Sequence, residues 1–164
     1  MQFLFAGLLM VAAVLAPAAG NAGEHSAGPT EAIRFASLRA KEVNVRAGPG
    51  VRYHVKWVFV RKRLPVMITA EFESWRKIRD SQGAEGWVHR AMLSTERSVI
   101  VKAKTLPLRR RADEKSPAVA QLSPGMVARI EQCGQQWCRV SVRAYSGWLR
   151  RNRLWGLGPN ETIK

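Results

Sequence analysis

The sequence predicts an all-β chain of two small barrels in tandem, and three observations carry that expectation. Short segments of alternating apolar and polar residues are separated by turn residues about every eight to twelve positions, as in small barrels. No segment holds an apolar period of 3.6 residues. The chain also repeats itself: Val43-Asn44-Val45-Arg46-Ala47-Gly48-Pro49-Gly50 returns about sixty residues later, more weakly, as Leu106-Pro107-Leu108-Arg109-Arg110-Arg111. The stretches that follow each copy match as well. Trp75-Arg76-Lys77-Ile78 is echoed by Trp137-Cys138-Arg139-Val140, and Gly86-Trp87-Val88-His89 by Gly147-Trp148-Leu149-Arg150.

The first segment bears on compartment rather than fold. Phe3 to Leu15 is almost wholly apolar and too short to span a bilayer comfortably. Small residues follow, and Gly20-Asn21-Ala22 has the small-x-small pattern of a cleavage site. Residues 1–22 therefore read as a signal peptide cut after Ala22, although Met1-Gln2 carries no Lys or Arg. The expected location is the periplasm. Residues 23–34, with Gly28-Pro29, read as a flexible leader.

The first repeat, 35–94, opens on a strand ending at Val43 and Val45, where Gly48-Pro49-Gly50 bends the backbone as few other residues allow. Val51 to Val60 is rich in β-branched and aromatic residues. Val66, Ile68 and Ala70 alternate with Met67 and Thr69 as a strand. Trp75 opens the next, Glu85 to His89 form another, and Arg90 to Leu93 read as one helical turn. Residues 95–98 are a short join without Gly or Pro, so the two repeats should touch. The second repeat covers 99–156 and has a degenerate loop. Residues 157–164 form a tail, expected to be frayed.

Charge narrows the partners. Lys and Arg number 27 against 12 Asp and Glu, a net +15 that favours anionic partners and is silent about fold. Nucleic acid, anionic lipid and cell-wall polymer all qualify by charge. Export argues against nucleic acid. No carboxylate pair, Gly-rich phosphate loop, Ser-His-Asp order or metal-ligand motif stands out, so the chain reads as non-catalytic, with no cofactor and no metal. An enzyme using Cys138 or His89 is the remotest reading.

Asn44-Val45-Arg46-Ala47-Gly48-Pro49-Gly50, Trp75 opening a strand and Gly86-Trp87-Val88 together resemble the bacterial SH3-like (SH3b) domain. The ordered whole, ending Leu154-Trp155-Gly156, is similar to exported two-repeat SH3-domain proteins of Gram-negative bacteria. The resemblance implies two SH3-like barrels. It also implies a non-catalytic module, since domains of this kind often bind peptidoglycan or its stem peptides. An adaptor that binds another envelope protein is the alternative.

Strand parity sorts the candidate residues. If Ile78, Val88, Val140 and Leu149 fill the cores, then Trp75, Trp87, Trp137 and Trp148 face outward among cations, where they either line a ligand rim or brace the adjoining loop. Tyr53, His54 and Trp57 follow the Gly-Pro-Gly turn, on the loop where the family commonly places ligand contacts. With Asn44, Arg46, Trp75 and Trp87 they make the candidate ligand set. Arg109, Arg110, Arg111, Arg150 and Arg151 are candidate contacts for an anionic surface, or else a solvated face. Cys133 and Cys138 are expected to form a disulfide in an exported protein. Their counterparts in the first repeat are Glu71 and Arg76, an opposite-charge pair suited to neighbours across a hairpin. Pairing 133 with 138 in a regular ladder would set Ile130 and Val140 on opposite faces, so the disulfide requires a one-residue bulge.

Overall fold

The computed structural model describes residues 34–102 and 104–164; the expected signal segment and all of the leader except Arg34 lie outside them. The first repeat forms strands β1 (Arg34–Leu38), β2 (Val43–Arg46), β3 (Val55–Phe59), β4 (Pro65–Phe72), β5 (Trp75–Arg79), β6 (Glu85–His89) and β7 (Leu93–Ser94). One 3-10 turn, Arg90–Met92, joins the last two. The second repeat forms β8 (Ser98–Val101), β9 (Leu106–Arg109), β10 (Ala118–Leu122), β11 (Val127–Cys133), β12 (Trp137–Val142), β13 (Tyr145–Arg150) and β14 (Leu154–Trp155), with a matching 3-10 turn at Arg151–Arg153.

The two sheets have one topology. Strand order is β3-β2-β6-β5-β4-β1-β7 in the first and β10-β9-β13-β12-β11-β8-β14 in the second. Both curl around a separate core. Leu38, Val43, Val45, Val66, Ile78, Val88 and Leu93 fill the first. The second takes Val99, Val101, Leu108, Leu122, Ala128, Ile130, Val140, Val142, Leu149, Leu154 and both cysteines. Ile78, Val88, Val140 and Leu149 are all buried, as strand parity requires.

The bulge that the disulfide required is present. Register slips between Ile130 and Gln132, which lets Ile130 face Val140 while Cys133 faces Cys138. The two cysteines are joined. The first barrel slips at the same place, between Ile68 and Ala70, and there Glu71 faces Arg76. A salt bridge of 2.9 Å between them takes the place of the sulfur bond.

One glycine of the motif serves a purpose other than turning the chain. Gly48 and Gly50 do not have left-handed φ values. A Cβ on Gly48 would stand 2.5 Å from the Tyr53 ring, so glycine is there to let that ring lie on the backbone. The Gly of each Gly-Trp pair sits where one strand crosses another. A Cβ on Gly86 would meet Val45 Cγ1 at 2.4 Å, and one on Gly147 would meet the Arg109 carbonyl oxygen at 2.6 Å.

The repeats touch, as the short join predicts. Phe35 packs edge-on against Trp155 with ring centroids 5.2 Å apart. Ser98 Oγ donates to the Arg63 carbonyl at 2.7 Å and Ser37 Oγ to that of Glu96 at 2.6 Å. Two expected limits shift: β1 begins at Arg34, given to the leader, and β8 at Ser98, given to the join. The frayed tail is corrected. Ile163 and Cys133 exchange backbone hydrogen bonds of 2.8 and 2.9 Å, and Leu157 and Ile163 pack on the second core.

Candidate functional site

Alternation along β2 creates the first barrel's groove. Val43 and Val45 point inward, which turns Glu42, Asn44 and Arg46 outward along one line. Trp75 at the start of β5 and His89 at the end of β6 are cross-strand partners beside that line. With Val51 of the loop and Met92 of the 3-10 turn, these residues bound a groove of about 380 Å³.

The aromatic pair is built for contact. The Trp75 and His89 rings meet edge to face, with centroids 5.4 Å apart at 85°. His89 Nδ1 accepts the Ala91 N–H at 3.3 Å, so the proton of the neutral ring sits on Nε2. Arg46 is partly committed. Its Nη1 donates to the carbonyls of Val51 at 3.0 Å and Tyr53 at 2.7 Å, which ties the loop to the sheet and fixes a cation in the groove wall. Glu42 provides an exposed carboxylate on the same line. The groove thus offers one acid, one cation, one amide and two ring faces.

The candidate ligand set divides. Asn44, Arg46 and Trp75 come together in this groove; Tyr53, His54, Trp57 and Trp87 do not line it. The Tyr53 ring lies on Gly48. Trp57 packs over the first core, edge-on to Phe59 at 5.9 Å. His54 is exposed on the loop, and Trp87 is half-buried with Lys77 and Arg46 as cross-strand neighbours. Sequence reasoning missed Glu42, Val51, His89 and Met92 as groove residues. The signal for Glu42 was available, because 42, 44 and 46 are one parity set. Parity along β6 puts His89 on one face with Trp87, but its ring partner is the cross-strand Trp75.

On the second barrel the ring of the equivalent tryptophan is covered by the chain itself. Arg150 replaces His89 and lies over the Trp137 ring, with Cζ 4.3 Å from its centroid. Glu114 holds it there: Nε to Oε1 is 2.6 Å, and Arg109 approaches the same carboxylate at 3.5 Å. The Arg150 hydrogen bond and the charges of Arg150 and Arg109 outweigh desolvation and keep the Glu114 carboxyl below its ordinary range. A polar hollow of about 430 Å³ remains, lined by Glu114, Gln135, Gln136 and Arg150 to Arg153.

The five candidate anion-contacting arginines are likewise not alike. Arg109 also donates to the Ser116 carbonyl at 2.8 Å, as Arg46 does to its own loop. Arg151 reaches the carbonyls of Gly134 at 2.9 Å and Glu161 at 2.5 Å, and that of Gly158. Its guanidinium therefore anchors the tail. Arg110 and Arg111 are exposed.

Together these features define a pair of small β-barrels, one with an open polar-aromatic groove and one with the equivalent tryptophan covered. The sequence profile of the bacterial SH3 domain family matches residues 39–95 and again 102–156, and the chain belongs to that family. A search of curated proteins finds no match. Among solved structures, NlpC2 and NlpC1 from Trichomonas vaginalis are similar at 11% and 12% identity, each with a TM-score of 0.35. The matches cover 75% and 79% of this chain and 48% of each of theirs, so the chain spans about half their length.

Proposed function

We propose that this chain is a non-catalytic cell-envelope module whose first barrel recognises peptidoglycan through its stem peptides, in the groove of Glu42, Asn44, Arg46, Trp75 and His89. The observation that carries the reading is the composition of that groove. A stem peptide bears carboxylates and amines on a short backbone, next to sugar rings. Arg46 suits a carboxylate, Glu42 an amine, Asn44 a backbone amide, and the Trp75–His89 pair an apolar or sugar face. Membership of a family of binding domains supports the reading. It rests as well on export of the chain to the periplasm by residues 1–22.

Co-sedimentation with protein-free peptidoglycan across a salt series tests the proposal. Binding by the specific groove survives 0.2 M salt, where screening has shortened to below about 8 Å. It falls about tenfold or more in Trp75→Ala and Glu42→Gln, a loss of the size expected when a central aromatic or charged contact is removed. Binding that vanishes with salt and ignores both substitutions would mean that the wall acts only as a polyanion.

A second reading, an adaptor for another envelope protein, is favoured by the edge strand β3. It ends its sheet, and Val58 and Val60 are 44% and 69% exposed on and beside it. Arg52, Lys56, Arg61 and Lys62 are exposed on the same stretch of chain, so an extended acidic segment is the partner this edge would take. Recovery of one protein partner, lost on Val58→Lys, would favour that reading over the first.

A further inference from the structure

A larger groove lies across the 3-10 turn from the candidate peptide site. Met92 belongs to the peptide groove, whereas Arg90 and Ala91 line this one. It holds about 590 Å³, within the usual size of small-molecule sites. Phe35, Ala36, Ile68 and Leu93 provide apolar lining, and arginines 34, 39, 76, 90 and 97 surround them. The peptide reading uses none of these arginines.

Three observations indicate what such a groove would take. At its rim the Glu71 carboxylate is clamped between Arg34 and Arg76, so the chain itself already places an anion there. Arg39 and Arg90 have no carboxylate within ion-pair distance among the described residues, and Arg39 spends only Nε, on the Leu93 carbonyl at 3.2 Å. Arg97 pairs with Glu161 through its outer nitrogens, but its Nε is buried with no partner among the described residues. A buried donor without an acceptor is rare in folded proteins, and this one belongs to a residue that lines the groove. Guanidinium clusters match the oxygens of carboxylates and phosphates, while the lining between them is apolar.

We propose that this groove binds a single-chain anionic lipid, its acyl chain on Phe35, Ile68 and Leu93 and its acidic head among Arg39, Arg90 and Arg97. Decyl phosphate, kept below its micelle-forming concentration, is the probe for calorimetry on the mature chain. One molecule should bind per chain. Removing four methylenes, as in hexyl phosphate, should weaken binding by about tenfold or more. Inorganic phosphate and the uncharged decyl maltoside should each bind at least about tenfold more weakly than decyl phosphate, since each offers half of the match.

Arg90→Gln removes a side chain without an ion pair and should weaken decyl phosphate about tenfold with an unchanged circular dichroism spectrum. Arg110→Gln, on the other barrel, should leave the affinity as it is. Equal affinity for inorganic phosphate would overturn the proposal by reducing the groove to an anion contact. Tighter binding of an acidic tripeptide would overturn it in favour of a peptide site. Indifference to Arg90→Gln would overturn it by placing the lipid elsewhere. Trp75→Ala should not change decyl phosphate affinity, so this result and the peptidoglycan result can fail separately.

Discussion

The two barrels share a topology, a bulge, a pair of crossing glycines and a loop-tying arginine, yet their working ends differ. Where the second barrel locks Arg150 over Trp137 with Glu114, the first sets His89 edge to face with Trp75 and leaves a groove beside them. Where the second closes its hairpin with Cys133–Cys138, the first uses Glu71 and Arg76. The second core is also the larger and is capped by the tail. At this end the second barrel pairs its charged side chains with each other, and the first leaves Glu42 exposed beside its groove. The large disruptions below break what the barrels share, and the smaller ones separate them.

The shared strand crossing is the most sensitive point. A methyl at Gly147 would meet a carbonyl oxygen at 2.6 Å and Leu108 Cγ at 2.9 Å, with backbone on one side and packed core on the other. Gly147→Ala should cost about 3 kcal/mol, the upper part of the overpacking range. At Gly86 a methyl would meet the buried Val45 Cγ1 at 2.4 Å, but the nearest backbone atom, the Arg46 carbonyl oxygen, stands further off at 3.0 Å, so Gly86→Ala should cost less, about 2 kcal/mol. Urea melts of both variants check the order. Equal losses would mean that the two crossings relax alike.

Trp57→Ala comes next. The sequence makes this residue a candidate ligand contact, but its ring packs over the first core. Its truncation should destabilise the protein by about 2 kcal/mol, below the value for a fully buried aromatic because the ring is half-exposed. The discriminating measurement is peptidoglycan binding under conditions where the variant remains folded. Trp57→Ala should retain it and Trp75→Ala should lose it; the reverse would restore the loop as the site.

That contrast shows how far the sequence could be read. Tandem β repeats were legible because alternation is local: Val43, Val45, Ile78 and Val88 declare their face by parity alone. The bulge was legible because two demands, a 133–138 pairing and inward Ile130 and Val140, admit one geometry. The groove was only partly legible. Asn44, Arg46 and Trp75 reached it, but which aromatic meets which across strands depends on register, and register lies in the pairing of distant segments. His89 meeting Trp75 is such a case. The tail was misread for a related reason: nothing local to residues 157–164 shows that Arg151 and Cys133 will bind its backbone.

Double replacement of Cys133 and Cys138 by Ser should cost about 2 kcal/mol through loss of a small closed loop. The effect should fall on the second barrel. Amide exchange should quicken around β11, β12 and Ile163, which pairs with Cys133, while the first barrel's core strands keep their protection. Uniform quickening across both barrels would show that the interface through Phe35 and Trp155 couples them into one unit.

The smallest effect belongs to acid. Burial works against the charge on Glu161, but the hydrogen bond from Arg97, the Gly158 N–H and the charges of Arg97 and Arg151 outweigh it and hold its carboxyl below the ordinary 4.5. A carboxylate whose folded pKa is depressed adds stability that is complete above its unfolded value and disappears as pH falls through the folded one. The tail should therefore stay docked at neutral pH and loosen only below about pH 4.5. Glu161→Gln should loosen it at neutral pH by about 0.5–1 kcal/mol, the scale of a partly exposed ion pair, and make little difference in acid, where the wild-type carboxyl is itself protonated. The Ile163 amide, which donates to Cys133, reports this by its exchange rate. In the variant its exchange should lose the extra acid sensitivity. If that sensitivity persists, the tail is held by Arg151 and the backbone of Cys133 alone, and the carboxylate is incidental to the second barrel's self-contained structure.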